Sequence, residues 1–143
     1  MTDLAGSFLA PLALEADAAG SHQLVEASTD TVLATRLEPA FSLQDRKRGL
    51  LGRRMFEAGS AIMLAPCGSI HTFFMKFSID VIFALRDGRI LAIYHELKPW
   101  RLAATLRGFA AIELPAGTLD RTAVAAWTRL TVVPAHHVRA EKT

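Results

Sequence analysis

The feature that most constrains the fold is an alternating apolar segment over residues 73–85. Every odd position is apolar; these positions are Phe73, Met75, Phe77, Ile79, Val81, Phe83 and Leu85. Polar residues at even positions include Lys76, Ser78 and Asp80, with Thr72 directly before the segment. Because successive side chains of a β-strand point to opposite faces, the pattern predicts a strand with one buried face. Such a strand is unusually long, so we expect a bend or bulge near Ser78.

The next four residues, Arg86-Asp87-Gly88-Arg89, predict a tight turn after this strand. Aspartate and glycine tolerate the positive φ angles that both central residues of a type I′ turn require. The apolar stretch from Ile90 to Tyr94 then supplies a returning arm. Together the three segments predict a β-hairpin.

Further short apolar runs predict additional strands; they are residues 32–37, 61–64, 110–114 and 130–133. Pro115 and Pro134 directly follow the last two runs, and proline cannot donate to a strand ladder. Many short strands with one or two short helices indicate a mainly β protein. We predict an antiparallel β-sandwich or a partly closed barrel.

Two short helices are expected outside the strands. Ser42 has the character of a helix N-cap for residues 42–51, and Gly52 supplies a stop. A second helix is predicted over residues 119–127, where Thr118 or Asp120 could act as the cap.

The length of 143 residues favours a single domain. We predict a flexible N-terminal extension over residues 1–21, one β-rich domain over residues 22–134 and a tail over residues 135–143. Residues 4–14 are apolar, but no lysine or arginine precedes them as in a secretory signal. No run is long enough for a membrane-spanning helix. We therefore expect a cytoplasmic protein.

A basic cluster places five positive charges within nine residues; its members are Arg46, Lys47, Arg48, Arg53 and Arg54. Such a cluster can neutralise phosphates, but no aromatic residues are interleaved for base stacking. The net charge of +2 is also small. The cluster is therefore interpreted as a solvated helix face, and nucleic acid is not an expected partner.

Cys67, His71 and Met75 are spaced four residues apart, and all three side chains can bind soft metal ions. A copper site of this type needs a second histidine, which the neighbouring sequence lacks. A thiolate–imidazole pair of Cys67 and His71 is also conceivable. The favoured prediction has no catalytic residue, metal or cofactor. A small metalloprotein or thiol enzyme centred on Cys67 and His71 is the alternative.

Glu113 lies among apolar neighbours in the sequence Ala-Ala-Ile-Glu-Leu-Pro. Strand parity places it on one face with Ala111 and Pro115, while Ile112 and Leu114 point to the other. A buried carboxylate requires a partner because an unpaired charge is costly to bury. Arg48 and Lys76 are the candidate partners.

Four short motifs resemble those of a prokaryotic family, the domain of unknown function 192. They are Arg48-Gly-Leu-Leu-Gly-Arg53, Ile70-His-Thr-Phe-Phe-Met-Lys-Phe77, Ile79-Asp-Val-Ile-Phe83 and Glu113-Leu-Pro-Ala-Gly117. The resemblance extends over about residues 32–133. It implies a jelly-roll-like β domain and no assigned activity. Leu51 and Ser78 depart from the family pattern, and Cys67 is not typical of it.

The motif positions that match the family are Arg48, Gly49, His71, Thr72, Met75, Asp80 and Glu113. We predict a shallow polar pocket lined by Arg48, His71, Thr72, Met75, Lys76, Asp80 and Glu113. In this hypothesis Arg48 and Lys76 face Asp80 and Glu113, and the pocket binds a small polar ligand or a protein partner. The alternative is a network in which these four charges satisfy one another and nothing binds. Trp100 is a further candidate contact for a protein partner.

Overall fold

The computed structural model describes residues 3–14 and 20–135. These residues form three short helices: α1 (Ala10–Leu14), α2 (Leu43–Arg48) and α3 (Thr118–Thr122). They also form ten strands: β1 (His22–Glu26), β2 (Thr31–Ala34), β3 (Arg36–Ala40), β4 (Ser60–Leu64), β5 (Ser69–His71), β6 (Ile79–Ala84), β7 (Ile90–Leu97), β8 (Leu102–Ala104), β9 (Ala110–Pro115) and β10 (Leu130–Pro134). All but the first residue of the predicted C-terminal tail lie outside the described residues.

The strands form one large sheet and two smaller ones. The large sheet has the order β3-β4-β9-β6-β7 and is antiparallel except for the parallel pair β3–β4. A three-stranded antiparallel sheet has the order β10-β1-β2, and β5 pairs with β8. The prediction of a mainly β fold with few short helices is confirmed, and the described strands do not close into a barrel.

Both faces of the large sheet are covered by apolar side chains. On one face, Ile82 and Ile112 belong to a buried cluster that includes Leu24 and Leu130 of the three-stranded sheet. On the other face, a second cluster contains Val81 and Phe83 together with residues of β5 and β8 and with Leu50, which follows α2. The central strands β6 and β9 are consequently buried along their whole length.

The predicted strand over residues 73–85 is wrong in its first half, because β6 begins only at Ile79. Phe74 has a left-handed φ of 66°, which ends any extended run, and its side chain is 71% exposed. The alternation before Ser78 therefore reflects two exposed rings, Phe73 and Phe74, together with the buried Met75 and the half-buried Phe77. Residues 72–78 form a loop rather than a bent strand.

The predicted hairpin is confirmed by the antiparallel pairing of β6 with β7. Its turn is not type I′, because only Gly88, with φ 92°, has a positive φ. The Gly88 N–H donates to Leu85 O at 2.9 Å, and the Leu85 N–H donates to Arg89 O at 2.8 Å. The hairpin thus closes through a turn followed by a bulge at the glycine. A Cβ atom at Gly88 would overlap the carbonyl of Leu130, so this position requires glycine.

The remaining strand predictions agree with the structure, with one division. The run 32–37 is split at Thr35 into β2 and β3, which belong to different sheets. Ser42 caps α2 as predicted, and its Oγ accepts from the Asp45 N–H at 3.0 Å. This helix ends at Gly49 and not at Gly52.

The second predicted helix is shorter than expected, since α3 covers only Thr118–Thr122. Its N-cap is Gly117, with φ 92°, and neither Thr118 nor Asp120 caps it through a side chain. A left-handed φ of 53° at Ala123 ends the helix. The N–H of Leu119 is instead bound by a carboxylate from β6, described below.

Residues 3–14 fall within the predicted flexible extension. Leu4, Leu9 and Leu12 nevertheless have buried side chains in the core beside the three-stranded sheet. The Arg86 guanidinium donates to the carbonyl of Ala5 at 2.7 Å. This N-terminal segment therefore packs into the cluster that includes Leu24 and Leu130, and α1 contacts β10. The predicted domain boundaries at residues 22 and 134 stay predictions.

Candidate functional site

A cavity of about 470 Å³ opens between the C-terminal end of α2, strand β5 and strand β9. Its lining residues are Arg46, Lys47, Arg48, Gly49, Leu50, Leu51, Leu64, Pro66, Cys67, Gly68, Ser69, Ile70, His71, Met75 and Glu113. The cavity lies on the face of the large sheet that the second apolar cluster covers. Its position is fixed by α2, whose end is held over this face.

Glu113 supplies the buried acidic group of the cavity. The residue pairs with Ile62 of β4 and Val81 of β6 in the centre of the large sheet. Its side chain is only 4% exposed, and Oε2 has no hydrogen-bond partner. None of the ion pairs among residues 3–14 and 20–135 includes this carboxylate. The predicted cationic partner of Glu113 is therefore missing from the described structure.

Burial raises the pKa of Glu113 from 4.5 to about 7, because the ionised carboxylate loses its hydration. The positive charge of Arg53 acts in the opposite direction and lowers this pKa, but it does not compensate for burial. Arg53 is itself engaged with Glu38 at 2.6 Å. At neutral pH the Glu113 carboxyl group is thus poised between its protonated and ionised forms.

Gly49 lies over the carboxylate of Glu113. Its backbone angles, φ 43° and ψ −123°, belong to a region that L-residues rarely adopt. The Gly49 N–H donates to Asp45 O at 2.9 Å and ends the helix. A Cβ atom at this position would lie 3.9 Å from Oε2 of Glu113. The glycine therefore ends α2 and leaves space above the buried acid.

Three basic residues of α2 border the cavity, and they are not equivalent. Arg46 donates to Phe41 O at 2.7 Å and to Ala65 O at 3.3 Å, which ties the helix to the ends of β3 and β4. Lys47 and Arg48 are exposed and take part in no ion pair within the described structure. They remain available to an anionic group at the mouth of the cavity.

Cys67, His71 and Met75 all line the cavity, but their contacts do not favour metal or thiol chemistry. The Cys67 thiol donates to Ser69 O at 3.1 Å, and burial raises its pKa. The thiol is therefore protonated at neutral pH. Nδ1 of His71 accepts from the Phe73 N–H at 3.3 Å, so that nitrogen is already occupied. Within residues 3–14 and 20–135, no three His, Cys, Asp or Glu side chains are grouped so that they could hold a metal ion.

Thr72, a predicted pocket residue, has a structural position outside the cavity. Its side chain is fully buried, and its hydroxyl donates to Lys98 O at 2.6 Å. The same oxygen accepts from the Arg101 N–H at 2.9 Å. Thr72 therefore joins the loop before β6 to the loop after β7.

Asp80 also lies outside the cavity, on the opposite face of the large sheet. It pairs with Leu114 in register, whereas Glu113 pairs with Val81. Lys76 is exposed and does not line the cavity. Of the seven predicted pocket residues, the structure brings together Arg48, His71, Met75 and Glu113. The predicted four-charge network is absent from the described residues because two of its members lie elsewhere.

Sequence reasoning did not include Lys47 and the loop at residues 66–69 in the pocket. Gly68 was a usable signal in the sequence, because a glycine between a proline and a short strand can indicate a close approach of two backbone segments. The structure shows this approach, since a Cβ atom at Gly68 would lie 3.2 Å from Thr105 O. Lys47 carried no distinguishing signal among its basic neighbours.

Comparisons with known proteins establish the family and the fold. The profile of the family DUF192, described as "Uncharacterized ACR", matches residues 24–132. No protein in a search of curated proteins matched. None of the helices in the described ranges is long and apolar enough to cross a membrane.

Two crystal structures share the fold. One is a protein from Sinorhizobium meliloti 1021 proposed to be a transcription regulator. It has 22% sequence identity and a TM-score of 0.67, and the match covers 80% of this chain and 94% of that chain. The other is a protein of unknown function from Novosphingobium aromaticivorans DSM 12444, with 18% identity, a TM-score of 0.65 and coverage of 79% and 83%. At these identities the likeness concerns the fold alone. The family match spans most of the sequence, and the chain therefore belongs to the uncharacterised family DUF192.

Proposed function

We propose that this protein binds a small polar molecule in the cavity between α2, β5 and β9. One observation carries the proposal: the buried Oε2 of Glu113 lacks a hydrogen-bond partner. Buried polar atoms are almost always paired, because an unmet hydrogen bond costs roughly 1–3 kcal/mol. A bound molecule that donates to this oxygen would recover that free energy.

The lining residues define the chemistry of the ligand. An ionised Glu113 accepts hydrogen bonds, so the ligand needs a hydroxyl or ammonium group at the buried end. Lys47 and Arg48 at the mouth suit a carboxylate or phosphate. The apolar side chains of Leu64 and Ile70 suit a short carbon chain between these groups. A hydroxy acid, an amino acid or a small phosphate ester combines these features.

The proposal is for binding and not for catalysis. A cavity of about 470 Å³ has the size of ordinary small-molecule sites. A pKa near 7 would also suit a general base, but the proton that it takes would have to come from the bound molecule. The unpaired oxygen supports binding and does not by itself name a reaction. A cytoplasmic location is part of the same proposal, and cell fractionation would test it.

The experiment is a thermal-shift screen of hydroxy acids, amino acids and small phosphate esters at pH 8. A ligand that binds only the folded state raises the melting temperature. We expect a shift for the wild type, a smaller one for Arg48→Ala and none for Glu113→Gln. Arg54→Ala is the matched control, because Arg54 is an exposed arginine of the same basic cluster outside the cavity. It should respond like the wild type.

The same screen can contradict the proposal in two ways. A ligand that shifts Glu113→Gln as strongly as the wild type would not use the buried carboxylate. A library that shifts no form of the protein would remove small molecules of these classes as ligands. Either result would leave Glu113 without the role assigned to it.

A further inference from the structure

Three aromatic side chains, Phe73, Phe74 and Trp100, form an exposed cluster that we call the aromatic surface. Phe74 is 71% exposed and Trp100 is 57% exposed, while Phe73 is 36% exposed. The rings contact one another, with centroids 4.7 Å apart for Phe74 and Trp100 and 5.9 Å apart for Phe73 and Trp100. Exposed rings that already touch form a contiguous apolar patch, and such patches often mark interaction sites.

The backbone holds the aromatic surface in this exposed position. Phe74 and Trp100 have left-handed φ angles of 66° and 64°, which are costly for residues with a large side chain. The carbonyl of Thr72 accepts from the Met75 N–H at 3.2 Å and from the Trp100 N–H at 3.0 Å. Both loops are thus fixed to one buried residue. The exposure of the rings follows from hydrogen bonds of the fold.

Positive charge surrounds the aromatic surface. Lys76, Lys98 and Arg101 are exposed and lie within the two loops that carry the rings. Neither residues 72–78 nor residues 98–107 contain an aspartate or glutamate. None of these three cations takes part in an ion pair in the described ranges. Within these two loops the surface is therefore apolar at its centre and carries only positive charges, while the exposed Glu96 lies just before the second loop in the chain.

We propose that the aromatic surface docks on a negatively charged membrane. Tryptophan and phenylalanine rings partition into the interfacial region of a bilayer, and flanking lysine and arginine side chains bind anionic headgroups. A membrane fits better than a protein partner because the rings project from loops instead of lining a groove. The charged side chains within the two loops are also all positive. This inference does not depend on the ligand proposed for the cavity.

The test is sedimentation of the purified protein with lipid vesicles. We expect binding to vesicles of phosphatidylcholine mixed with phosphatidylglycerol, and much weaker binding to phosphatidylcholine alone. Raising the salt concentration should weaken binding, because salt screens the exposed charges. Trp100→Gly should lower the affinity about tenfold, since one large apolar contact is lost. Glycine suits the left-handed backbone at this position, so the fold should be retained.

The matched control is Trp127→Gly. Trp127 is 67% exposed and has a φ of 71°, so it resembles Trp100 in exposure and backbone. Its N–H donates to Ile90 O at the start of β7, whereas Trp100 follows Leu97 at the end of that strand. The two tryptophans therefore lie toward opposite ends of β7. Vesicle binding by Trp127→Gly should equal that of the wild type.

Three results would overturn the membrane proposal. The first is equal binding to neutral and anionic vesicles, and the second is an equal loss in Trp100→Gly and Trp127→Gly. The third is a lack of binding to the anionic vesicles. If it is accompanied by self-association that Trp100→Gly abolishes, the surface would be assigned to a second copy of this chain. Melting temperatures of both variants should accompany the measurement, so that loss of binding is distinguished from loss of folding.

Discussion

Asp80 and Glu113 are two buried acids on neighbouring strands of one sheet, and they differ in hydrogen bonding. Both carboxylate oxygens of Asp80 have a partner, whereas Oε2 of Glu113 has none. Asp80 on β6 pairs with Leu114, and Glu113 on β9 pairs with Val81. Paired side chains of an antiparallel sheet point to the same face, so the two acids lie on opposite faces. Asp80 is 0% exposed and Glu113 is 4% exposed. Burial is therefore nearly equal, and only the partners differ.

The carboxylate of Asp80 is fully used by the backbone. Oδ1 accepts from the Glu96 N–H at 2.8 Å, and Oδ2 accepts from the Leu119 N–H at 2.9 Å. Glu96 has a left-handed φ of 48° within β7, and Leu119 lies in the first turn of α3. Asp80 thus holds an irregular strand and a helix N-terminus to the centre of the sheet. Its role is structural.

Glu26 shows how hydrogen bonds act against burial on a carboxylate that is less deeply enclosed than Glu113. Its side chain is 5% exposed, and burial acts to raise its pKa. Hydrogen bonds from Thr29 and Ser28 act against burial and leave the pKa lowered overall. Glu113 has no such bonds, and its pKa is raised. A buried acid that the fold leaves unpaired is the one best explained by a ligand.

The largest predicted effect is the loss of Asp80. In Asp80→Ala the buried N–H group of Leu119 and the partly buried N–H group of Glu96 lose a charged acceptor, and each unmet donor is costly. We expect the free energy of unfolding to fall by about 4 kcal/mol, or folding to fail. Urea denaturation followed by circular dichroism measures this loss.

Asp120→Ala is the control for this prediction, because Asp120 is an exposed acid of the same helix, α3. Its ion pair with His95 is solvent-exposed, so the loss should stay below about 1 kcal/mol. A small effect of Asp80→Ala, comparable with that of Asp120→Ala, would contradict the structural role of Asp80.

The second predicted effect is an increase in the free energy of unfolding, and it depends on pH. Folded Glu113 keeps its proton up to a pKa of about 7, whereas the unfolded chain releases it near 4.5. Between these values the folded state binds more protons, so wild-type stability falls as pH rises. Glu113→Gln lacks this loss and should match the wild type near pH 4. Above pH 7 it should be more stable by about 3 kcal/mol, the equivalent of the pKa difference.

Urea denaturation of both proteins from pH 4 to pH 8 checks this prediction. Glu26→Gln provides the contrast, since a lowered pKa stabilises the folded protein above the unfolded pKa and the variant should be destabilised at neutral pH. If Glu113→Gln were destabilised at pH 8, the carboxylate would have a partner in the folded protein. The comparison with Asp80 would then fail.

The sequence predicted the burial and the face of Glu113 but not the environment of Asp80. Strand parity is a local property, and it correctly separated Glu113 from Ile112 and Leu114. Because β6 is buried on both faces, its pattern could not show which cluster each side chain joins. The partners of Asp80 come from a strand irregularity and a helix start far along the chain, and spacing does not encode them.

The resemblance to the family identified positions without their roles. Thr72 and Asp80 matched its motifs, yet both bind backbone groups outside the cavity. Arg48 and Glu113 matched as well and do line it. Motif positions therefore include residues that build the fold and residues that remain available to a ligand. Only hydrogen-bond partners in the structure separate the two groups.

The smallest predicted effect concerns Gly49 and Gly52, the two glycines that follow α2. Gly52→Ala should destabilise the protein by about 1–2 kcal/mol and Gly49→Ala by about 1–3 kcal/mol, because both glycines have a positive φ, 82° and 43°. Only the new methyl group of Gly49→Ala lies close to Oε2 of Glu113, at 3.9 Å, whereas Gly52 faces open space. That methyl should dehydrate the carboxylate further and raise its pKa. The pH at which stability stops falling should therefore move upward in Gly49→Ala alone, and urea denaturation across the pH range measures it. If the free energy of unfolding depended on pH in the same way in both variants, the carboxylate would lie away from Gly49.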